Sequence, residues 1–201
     1  MSDRFADLKK LPAAPAARLL ADKGHKLGTP LTSPAAAPVA TVLAELEGKE
    51  AWVDVVRLMA VAMPPREAVW WACLAARDLI GDAPPTACLK AAEAWVLKPG
   101  EEIRVDLQAA IDAADMDDDT VLAATAALYA GGTLGPGELE AFPAPPPAVA
   151  SCVFGMNMKA MEKAADPLAH LQWLIDRGLD IARGGNGRVE APAPATAEEA
   201  G

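Results

Sequence analysis

The sequence lacks most of the residues and motifs on which enzyme chemistry depends. Its 201 residues include only two histidines, and it has no Cys-x-x-Cys pair, no Gly-x-Ser-x-Gly segment and no phosphate-binding glycine motif before a helix. His25 lies in the N-terminal region, and His170 has Asp166, four residues earlier, as its neighbouring carboxylate. One imidazole and one carboxylate are too few ligands for a metal ion. We therefore predict no catalytic residue, no metal site and no cofactor; an enzyme without a recognisable motif is the alternative.

Long apolar runs and paired cysteines are absent too. No stretch approaches the roughly 20 apolar residues of a transmembrane helix, and the N-terminus has no apolar signal-peptide core. Cys73, Cys88 and Cys152 fall on predicted apolar helix faces, which indicates small core residues in a reducing compartment. A nucleophilic Cys152 would need a nearby base and positive surroundings, and Ser151 beside it fits a helix surface. These features predict a soluble cytoplasmic protein without a membrane span.

Positive charge is scarce outside the N-terminus. The formal net charge is −10 and the pI is near 4.7, which argues against nucleic-acid binding because phosphate contacts need a positive field. The N-terminal region nevertheless holds six basic residues, which are Arg4, Lys9, Lys10, Arg18, Lys23 and Lys26. We interpret residues 1–34 as a flexible basic arm in solvent. Contact of this arm with a membrane or an acidic partner is the alternative.

Strand signals are almost absent, and helix signals fill most of the chain. No run of alternating β-branched residues has turn chemistry on both sides, whereas alanine favours helix and 18 prolines cluster between the alanine-rich runs. The sequence predicts an all-α fold, with a single domain of about seven to eight helices over residues 35–184 in a bundle or short helical array. Residues 185–201 are predicted to be a disordered tail, because they have few large apolar side chains.

The segment 66–80 is predicted to be the central helix. It follows Pro64 and Pro65 directly and is apolar nearly all round, so we expect it to be buried between other helices. At about 100° of turn per residue, Trp70 and Trp71 diverge from each other and from the alanine-rich face. The alanines would then allow close approach of neighbouring helices, and the tryptophans would fill wider gaps.

Five aspartates lie close together between two predicted helices. They are Asp112, Asp115, Asp117, Asp118 and Asp119. An oxygen-rich loop attracts calcium, but this one lacks the glycine at the sixth position and the glutamate at the twelfth that a calcium-binding loop uses. We interpret the cluster as helix caps and solvated charge; a weak cation site or a basic partner is the alternative.

Aromatic residues make up only 4% of the chain, so tryptophans near the surface are functional candidates. Both tryptophan and arginine are enriched at the hot spots of protein interfaces. Two tryptophans have arginines nearby at helical spacing, which predicts a partner-binding surface. The candidates are Trp70, Arg66, Arg77, Trp173 and Arg177. Core packing of the tryptophans is the alternative, with the proline run at 143–147 as a cover for one of them.

Several segments resemble one family of bacterial proteins of unknown function. The resemblance rests on Pro-Pro-Arg-Glu-Ala-Val-Trp-Trp-Ala-Cys-Leu-Ala-Ala-Arg (64–77), Ala-Ala-Glu-Ala-Trp-Val (91–96), Gly-Gly-Thr-Leu (131–134) and Pro-Pro-Pro (145–147). It covers roughly residues 35–185, and Trp-Trp-Ala-Cys is its most specific part. It implies an all-helical fold and an accessory role, since some members are encoded near type VI secretion components. It implies no activity and assigns no residue a function.

The leading hypothesis is a non-enzymatic helical interaction or adaptor protein, accessory to a bacterial type VI secretion system. We expect an unidentified protein partner, no nucleic acid and no membrane span. The alternative is a helical protein that sequesters a small apolar ligand. The cavity for that ligand would be lined by Trp52, Met59, Met63, Met156 and Met161.

Overall fold

The computed structural model describes residues 3–191, in which nine α-helices follow one another and two short 3₁₀ turns occur, at Asp3–Phe5 and Gly137–Ala141. The helices are α1 (Ala16–Asp22), α2 (Val39–Gly48), α3 (Trp52–Ala62), α4 (Pro65–Ile80), α5 (Ala87–Leu97), α6 (Glu101–Asp112), α7 (Val121–Ala130), α8 (Ala148–Lys163) and α9 (Pro167–Arg183). The only β-structure in this range is two isolated bridges. The all-α prediction is therefore confirmed, and α2 to α9 are the eight helices of the predicted domain. None of these helices is both long and apolar enough to cross a bilayer.

Proline and glycine set several helix boundaries. Pro65 and Pro167 occupy the first turn of α4 and of α9, where the missing N–H breaks no helical hydrogen bond. At the start of α5 the side chain of Thr86 accepts a hydrogen bond from the backbone N–H of Leu89 at 3.1 Å. Gly184 ends α9 in the left-handed conformation, with φ of +104°, which glycine adopts without a steric cost.

Helix α4 lies at the centre, as the sequence predicts. Half of its 16 residues are buried, namely Ala68, Val69, Trp71, Ala72, Cys73, Leu74, Ala75 and Ala76. It packs against α5, α7, α8 and α9, so its small side chains face neighbours on several sides. The side chain of Trp71 is completely buried, and its indole N–H donates to the carbonyl oxygen of Leu174 at 2.8 Å. Trp71 thereby joins α4 to α9 through both packing and a satisfied polar group.

The described part of the predicted N-terminal arm packs on the helices. Phe5 is buried, Arg4 forms an ion pair with Asp176 of α9 at 2.6 Å, and Lys10 forms one with Glu67 of α4 at 3.0 Å. The acidic surface that these basic residues meet therefore belongs to the same chain. The arm is basic and the remainder of the chain is acidic, so electrostatic attraction between them favours this packing.

Two carboxylates hold the proline-containing stretch before α2. Asp54 accepts hydrogen bonds from the backbone N–H groups of Gly28 at 3.2 Å and Thr29 at 2.7 Å, and Glu45 accepts one from that of Ser33 at 2.8 Å. Burial opposes the charge on Asp54, but the hydrogen bonds from Thr29 and Gly28 keep the pKa of this carboxyl below its ordinary value. The backbone N–H groups of this stretch, which lie outside any helix, are thus satisfied by the carboxylates of Glu45 on α2 and Asp54 on α3.

Residues 184–190, called here the C-terminal segment, turn back along α9 after Gly184. The backbone N–H of Gly185 donates to the carbonyl oxygen of Asp180 at 2.8 Å. The predicted tail from residue 192 onward, and residues 1 and 2 of the predicted arm, lie outside the described residues. The domain boundaries at 34 and 184 remain predictions, and contacts cross both of them.

The packing of α9 on α4 predicts the effect of one added methyl group. A Cβ atom at Gly178 would lie 2.5 Å from the terminal methyl of Met59 and 3.0 Å from the Trp71 ring, and both of these side chains are fully buried in the core. We expect Gly178→Ala to lower the free energy of unfolding by about 1 to 2 kcal/mol, since overpacking outweighs the gain in helix propensity. Urea unfolding followed by circular dichroism measures this change.

The matched control is Gly48→Ala at the end of α2, where the added Cβ has no atom within 4 Å. Its free energy of unfolding should stay within about 0.5 kcal/mol of the unsubstituted chain. Equal stability of the two variants would contradict the close packing of α9 on α4.

Candidate functional site

The five partner-binding candidates lie together on one side of the domain. Arg66, Trp70 and Arg77 are on α4, and Trp173 and Arg177 are on α9. One pocket is lined by Trp70, Arg77 and Arg177, and a second by Trp70 and Arg66. The guanidinium of Arg177 lies over the ring of Trp173, 3.6 Å from its centroid. We call the surface formed by these five side chains the tryptophan face.

Both tryptophans of this face bind the main chain of the C-terminal segment. The indole N–H of Trp70 donates to the carbonyl oxygen of Asn186 at 2.8 Å, and that of Trp173 donates to the carbonyl oxygen of Val189 at 3.4 Å. Each indole is half-buried. The proline run at 143–147, suggested by the sequence as a cover, begins at an isolated bridge between Thr133 and Pro143, and the carbonyl oxygen of Pro147 lies 3.3 Å from Nε2 of His25.

The C-terminal segment crosses the tryptophan face at Gly187, a position that accommodates only glycine. Gly187 is buried, has φ of +72° and donates its backbone N–H to the carboxylate of Asp180 at 2.8 Å. A Cβ atom at this position would lie 2.6 Å from Leu74 and 2.8 Å from Ile181. Both the left-handed conformation and the close approach to two apolar side chains therefore require glycine here.

Two of the arginines are engaged in contacts between α4 and α5. Arg66 donates to the carbonyl oxygen of Val96 at 2.6 Å, which satisfies an acceptor at the C-terminal end of α5. Arg77 forms two hydrogen bonds with Glu93, at 2.7 and 2.6 Å, and this bidentate geometry is the strong form of an ion pair. Arg66 and Arg77 thus hold α5 in place beside the tryptophan face.

Arg177 belongs to a buried polar cluster between α4 and α9. Its guanidinium lies 2.5 Å from the carboxylate of Asp78 and 3.4 Å from the carbonyl oxygen of Leu74. The Nε2 atom of His170 lies 3.7 Å from the same carboxylate, and the rings of His170 and Trp173 meet edge to face at 5.3 Å. The predicted neighbour of His170 was Asp166, but that carboxylate caps α9 at the N–H of Ala169.

Burial controls the charges in this cluster. It raises the pKa of Asp78, while Arg177 and His170 act in the opposite direction. It lowers the pKa of His170, an effect that Arg177 reinforces and Asp78 opposes. The imidazole is therefore held in its neutral form, and its Nε2 atom has no hydrogen-bond partner within the described residues.

Burial also determines the protonation of the cysteine thiols. Burial raises the pKa of Cys88 and of Cys152 to about 11 and raises that of Cys73 further, so all three thiols are protonated at neutral pH. Ser151 is exposed at the start of α8. Between residues 3 and 191, no three side chains of His, Cys, Asp or Glu are grouped so as to hold a metal ion.

The acidic cluster between α6 and α7 has the geometry of helix-end contacts. Asp118 accepts hydrogen bonds from the backbone N–H and the hydroxyl of Thr120, at 2.9 and 2.5 Å, directly before α7. Asp112 accepts one from Gln108, and Asp119 pairs with Lys159 of α8 at 3.4 Å. The N-cap of α7 is Thr120, without a side-chain capping hydrogen bond, so none of these aspartates caps α7; the interpretation as solvated charge stays a prediction.

The methionines proposed as the lining of an apolar cavity fall mostly in the packed core. Met59, Met63 and Met156 are buried, and Met161 is half-buried. Trp52 lines an open pocket of about 750 Å³ without a methionine in its wall. The apolar-ligand hypothesis stays a prediction, with this pocket as its place in the structure.

Sequence inspection found the tryptophans but missed their partners. Asp78 and His170 are 92 positions apart in the chain, and Trp70 and Asn186 are 116 apart, so no local spacing connects them. The glycine-rich run at 184–187 was the one signal for this contact, because glycines are used where a main chain packs closely against other residues as well as at helix ends.

The chain belongs to a family of unknown function (DUF6931), whose model matches residues 42–182. No curated protein and no solved structure matched the chain. The match includes α3 to α9 almost completely, and therefore all five candidate residues, but it ends before the C-terminal segment. The expected resemblance to an uncharacterised family is confirmed.

The buried cluster predicts a pH dependence of stability. The pKa of His170 is lower in the folded chain than its ordinary value of 6.5, so the unfolded chain binds more protons near that pH. The free energy of unfolding should then fall as the pH falls through about 6.5. We expect the unsubstituted chain to lose more stability than His170→Gln between about pH 7.5 and pH 5.5, measured by urea unfolding.

The control is His25→Gln, which removes the other histidine of the chain and leaves the cluster intact. It should show the same pH dependence as the unsubstituted chain. A pH dependence that is unaltered in His170→Gln, or altered only in His25→Gln, would contradict the neutral buried imidazole.

Proposed function

We propose that this chain is a non-enzymatic helical interaction or adaptor protein that binds a protein partner through its tryptophan face. The proposal extends to its setting: a cytoplasmic protein of bacteria, accessory to a type VI secretion system. The setting is supported by the resemblance of residues 64–77 and the three other quoted segments to a family with members encoded near such systems. The binding role is supported separately, by the contacts of the face.

The observation that supports binding is the pair of indole N–H groups directed at the main chain of one segment. Trp70 and Trp173 donate to carbonyl oxygens of residues 186 and 189, which are acceptors that every peptide segment carries. The rings also offer large apolar surfaces beside these donors. A surface that holds a segment of its own chain in this way has the chemistry to hold a segment of another protein.

The arginines contribute to this function by positioning the tryptophans. Arg177 is buried and stacks on the ring of Trp173, and a cation above an aromatic ring is attracted by its π electrons. Arg66 and Arg77 form hydrogen bonds with Val96 and Glu93 of α5. The tryptophans are therefore the residues expected to carry the binding energy, as aromatic side chains do at many interfaces.

A second candidate function is the binding of a small apolar ligand in the pocket beside Trp52. The pocket is lined by apolar side chains that include Leu168 and Leu171, and Leu168 is 54% exposed. A small molecule that co-purifies with the chain in native mass spectrometry, and that is lost in Leu168→Asp, would support this function over the adaptor.

The adaptor proposal predicts a partner whose recovery depends on the tryptophans. Trp70→Ala combined with Trp173→Ala should lower recovery of the partner about tenfold or more, because loss of a hot-spot side chain costs about 2 kcal/mol. The measurement is affinity purification of the tagged full chain from its native host, with quantitative mass spectrometry and then titration of the purified partner.

The control is Phe142→Ala, which removes an exposed aromatic residue from the connector between α7 and α8. This variant should recover the partner at the unsubstituted level. Circular dichroism must show that the double variant is folded, and undiminished recovery by a folded double variant would rule out the tryptophan face as the binding surface.

A further inference from the structure

The C-terminal segment is held on the tryptophan face almost entirely by its main chain. Its contacts are the carbonyl oxygens of Asn186 and Val189 and the backbone N–H of Gly187. Asn186 and Arg188 are exposed, and Val189 is half-buried. Recognition of this segment therefore depends on a backbone that bends at Gly185 and Gly187, where a Cβ atom would collide with the carboxylate of Asp180 and lie 2.6 Å from Leu74 respectively, and hardly on side-chain identity.

We expect the free energy required to release the C-terminal segment to be small. Three of its first four residues are glycines, which gain the most conformational freedom when a segment detaches. Its departure would uncover part of Leu74 and Ile181, which Gly187 meets, but Gly187 is the only residue of the segment that is itself buried, and regions with few buried residues open more readily than packed helices. We therefore expect this segment to open more often than the helices beneath it.

Open pockets flank the segment on the tryptophan face. One, of about 230 Å³, is bordered by Trp70, Leu97 and Gly185, and another, of about 670 Å³, is bordered by Trp70, Leu97 and Arg188. Leu97 is 79% exposed. A peptide that followed the same path with larger side chains could fill this space, and it would gain apolar contacts that the C-terminal segment does not make.

We propose that the tryptophan face is a binding site for a glycine-containing peptide of a partner protein, bound with the backbone bend of residues 186–189, and that these residues occupy the site as an intramolecular competitor. The inference rests on the proposed adaptor function and specifies the class of partner and its regulation. The partner glycine takes the place of Gly187, because any side chain there meets Leu74 and Ile181. In the partner peptide, the residue after this glycine enters the pocket that Trp70, Leu97 and Arg188 border.

The experiment uses a fluorescein-labelled peptide that copies residues 184–191, Gly-Gly-Asn-Gly-Arg-Val-Glu-Ala, and the full-length chain. In Gly187→Val the added side chain expels the C-terminal segment and leaves the face unchanged. Fluorescence anisotropy should show that Gly187→Val binds the peptide at least tenfold more tightly than the unsubstituted chain. Trp70→Ala added to Gly187→Val should abolish this gain. A peptide with valine in place of its third glycine, which corresponds to position 187, should not bind.

The matched control is Gly132→Val. Gly132 also has a left-handed φ, of +88°, but a Cβ atom there has no neighbour within 4 Å. This variant carries the same backbone strain without displacing the segment, so its affinity for the peptide should equal that of the unsubstituted chain.

Hydrogen exchange provides a measurement that does not depend on any variant. An excess of unlabelled peptide should accelerate exchange of the Gly187 amide in the unsubstituted chain and leave the amides of α4 unaffected. If Gly187→Val does not fold, this result decides the question. Equal peptide affinity of folded Gly187→Val and the unsubstituted chain, or no acceleration of exchange, would overturn the inference.

The results also separate this inference from the adaptor function. Peptide binding that depends on release of the segment, without recovery of a partner from the host, would support the site and count against the adaptor role. A partner that needs both tryptophans but is recovered equally by Gly187→Val, with no peptide binding, would support the adaptor role and overturn the intramolecular competitor.

Discussion

Burial of α4 on several sides is the constraint on which the remaining structure depends. Six of the eight buried residues of α4 are alanine, cysteine or valine, whose exposure to water would cost free energy, and these small side chains let α5, α7, α8 and α9 approach closely. Trp71 fills the wider space toward α9, and its indole N–H is satisfied by Leu174. Gly178 is the matching feature of α9, because a larger residue would collide with that ring.

The C-terminal segment is tied to this core mainly by main-chain hydrogen bonds, whereas the N-terminal region also packs apolar side chains such as Phe5 and Leu20 against it. Arg4 and Lys10 reach carboxylates on α9 and α4, Asp54 holds the backbone at residues 28 and 29, and Asp180 holds Gly187. Such contacts position a segment without contributing much hydrophobic stabilisation. The same domain can therefore combine a packed centre with a C-terminal segment that detaches at a lower cost.

This difference in stability is what connects the fold to the proposed role. The tryptophan face lies where the rigid centre meets the weakly held C-terminal segment, so the face can be covered in one state and available in another. The buried cluster of Asp78, His170 and Arg177 lies beneath Trp173 and fixes the ring from below. A partner would then meet preorganised aromatic side chains and would have to displace only a short, glycine-rich segment.

The sequence alone determined the helices, their approximate ends and the central place of α4. The predicted segment 66–80 differs by one residue from Pro65–Ile80, because apolar periodicity, proline and glycine act between residues that are close in the chain. Only the tertiary structure decided which surfaces are free. Arg177 has the appearance of a surface residue on its own helix, yet it is buried against Asp78, 99 positions away, and residues 186–189 have the composition of a tail, yet they lie on two tryptophans. Contacts between distant residues depend on how the helices pack, and no local pattern records that packing.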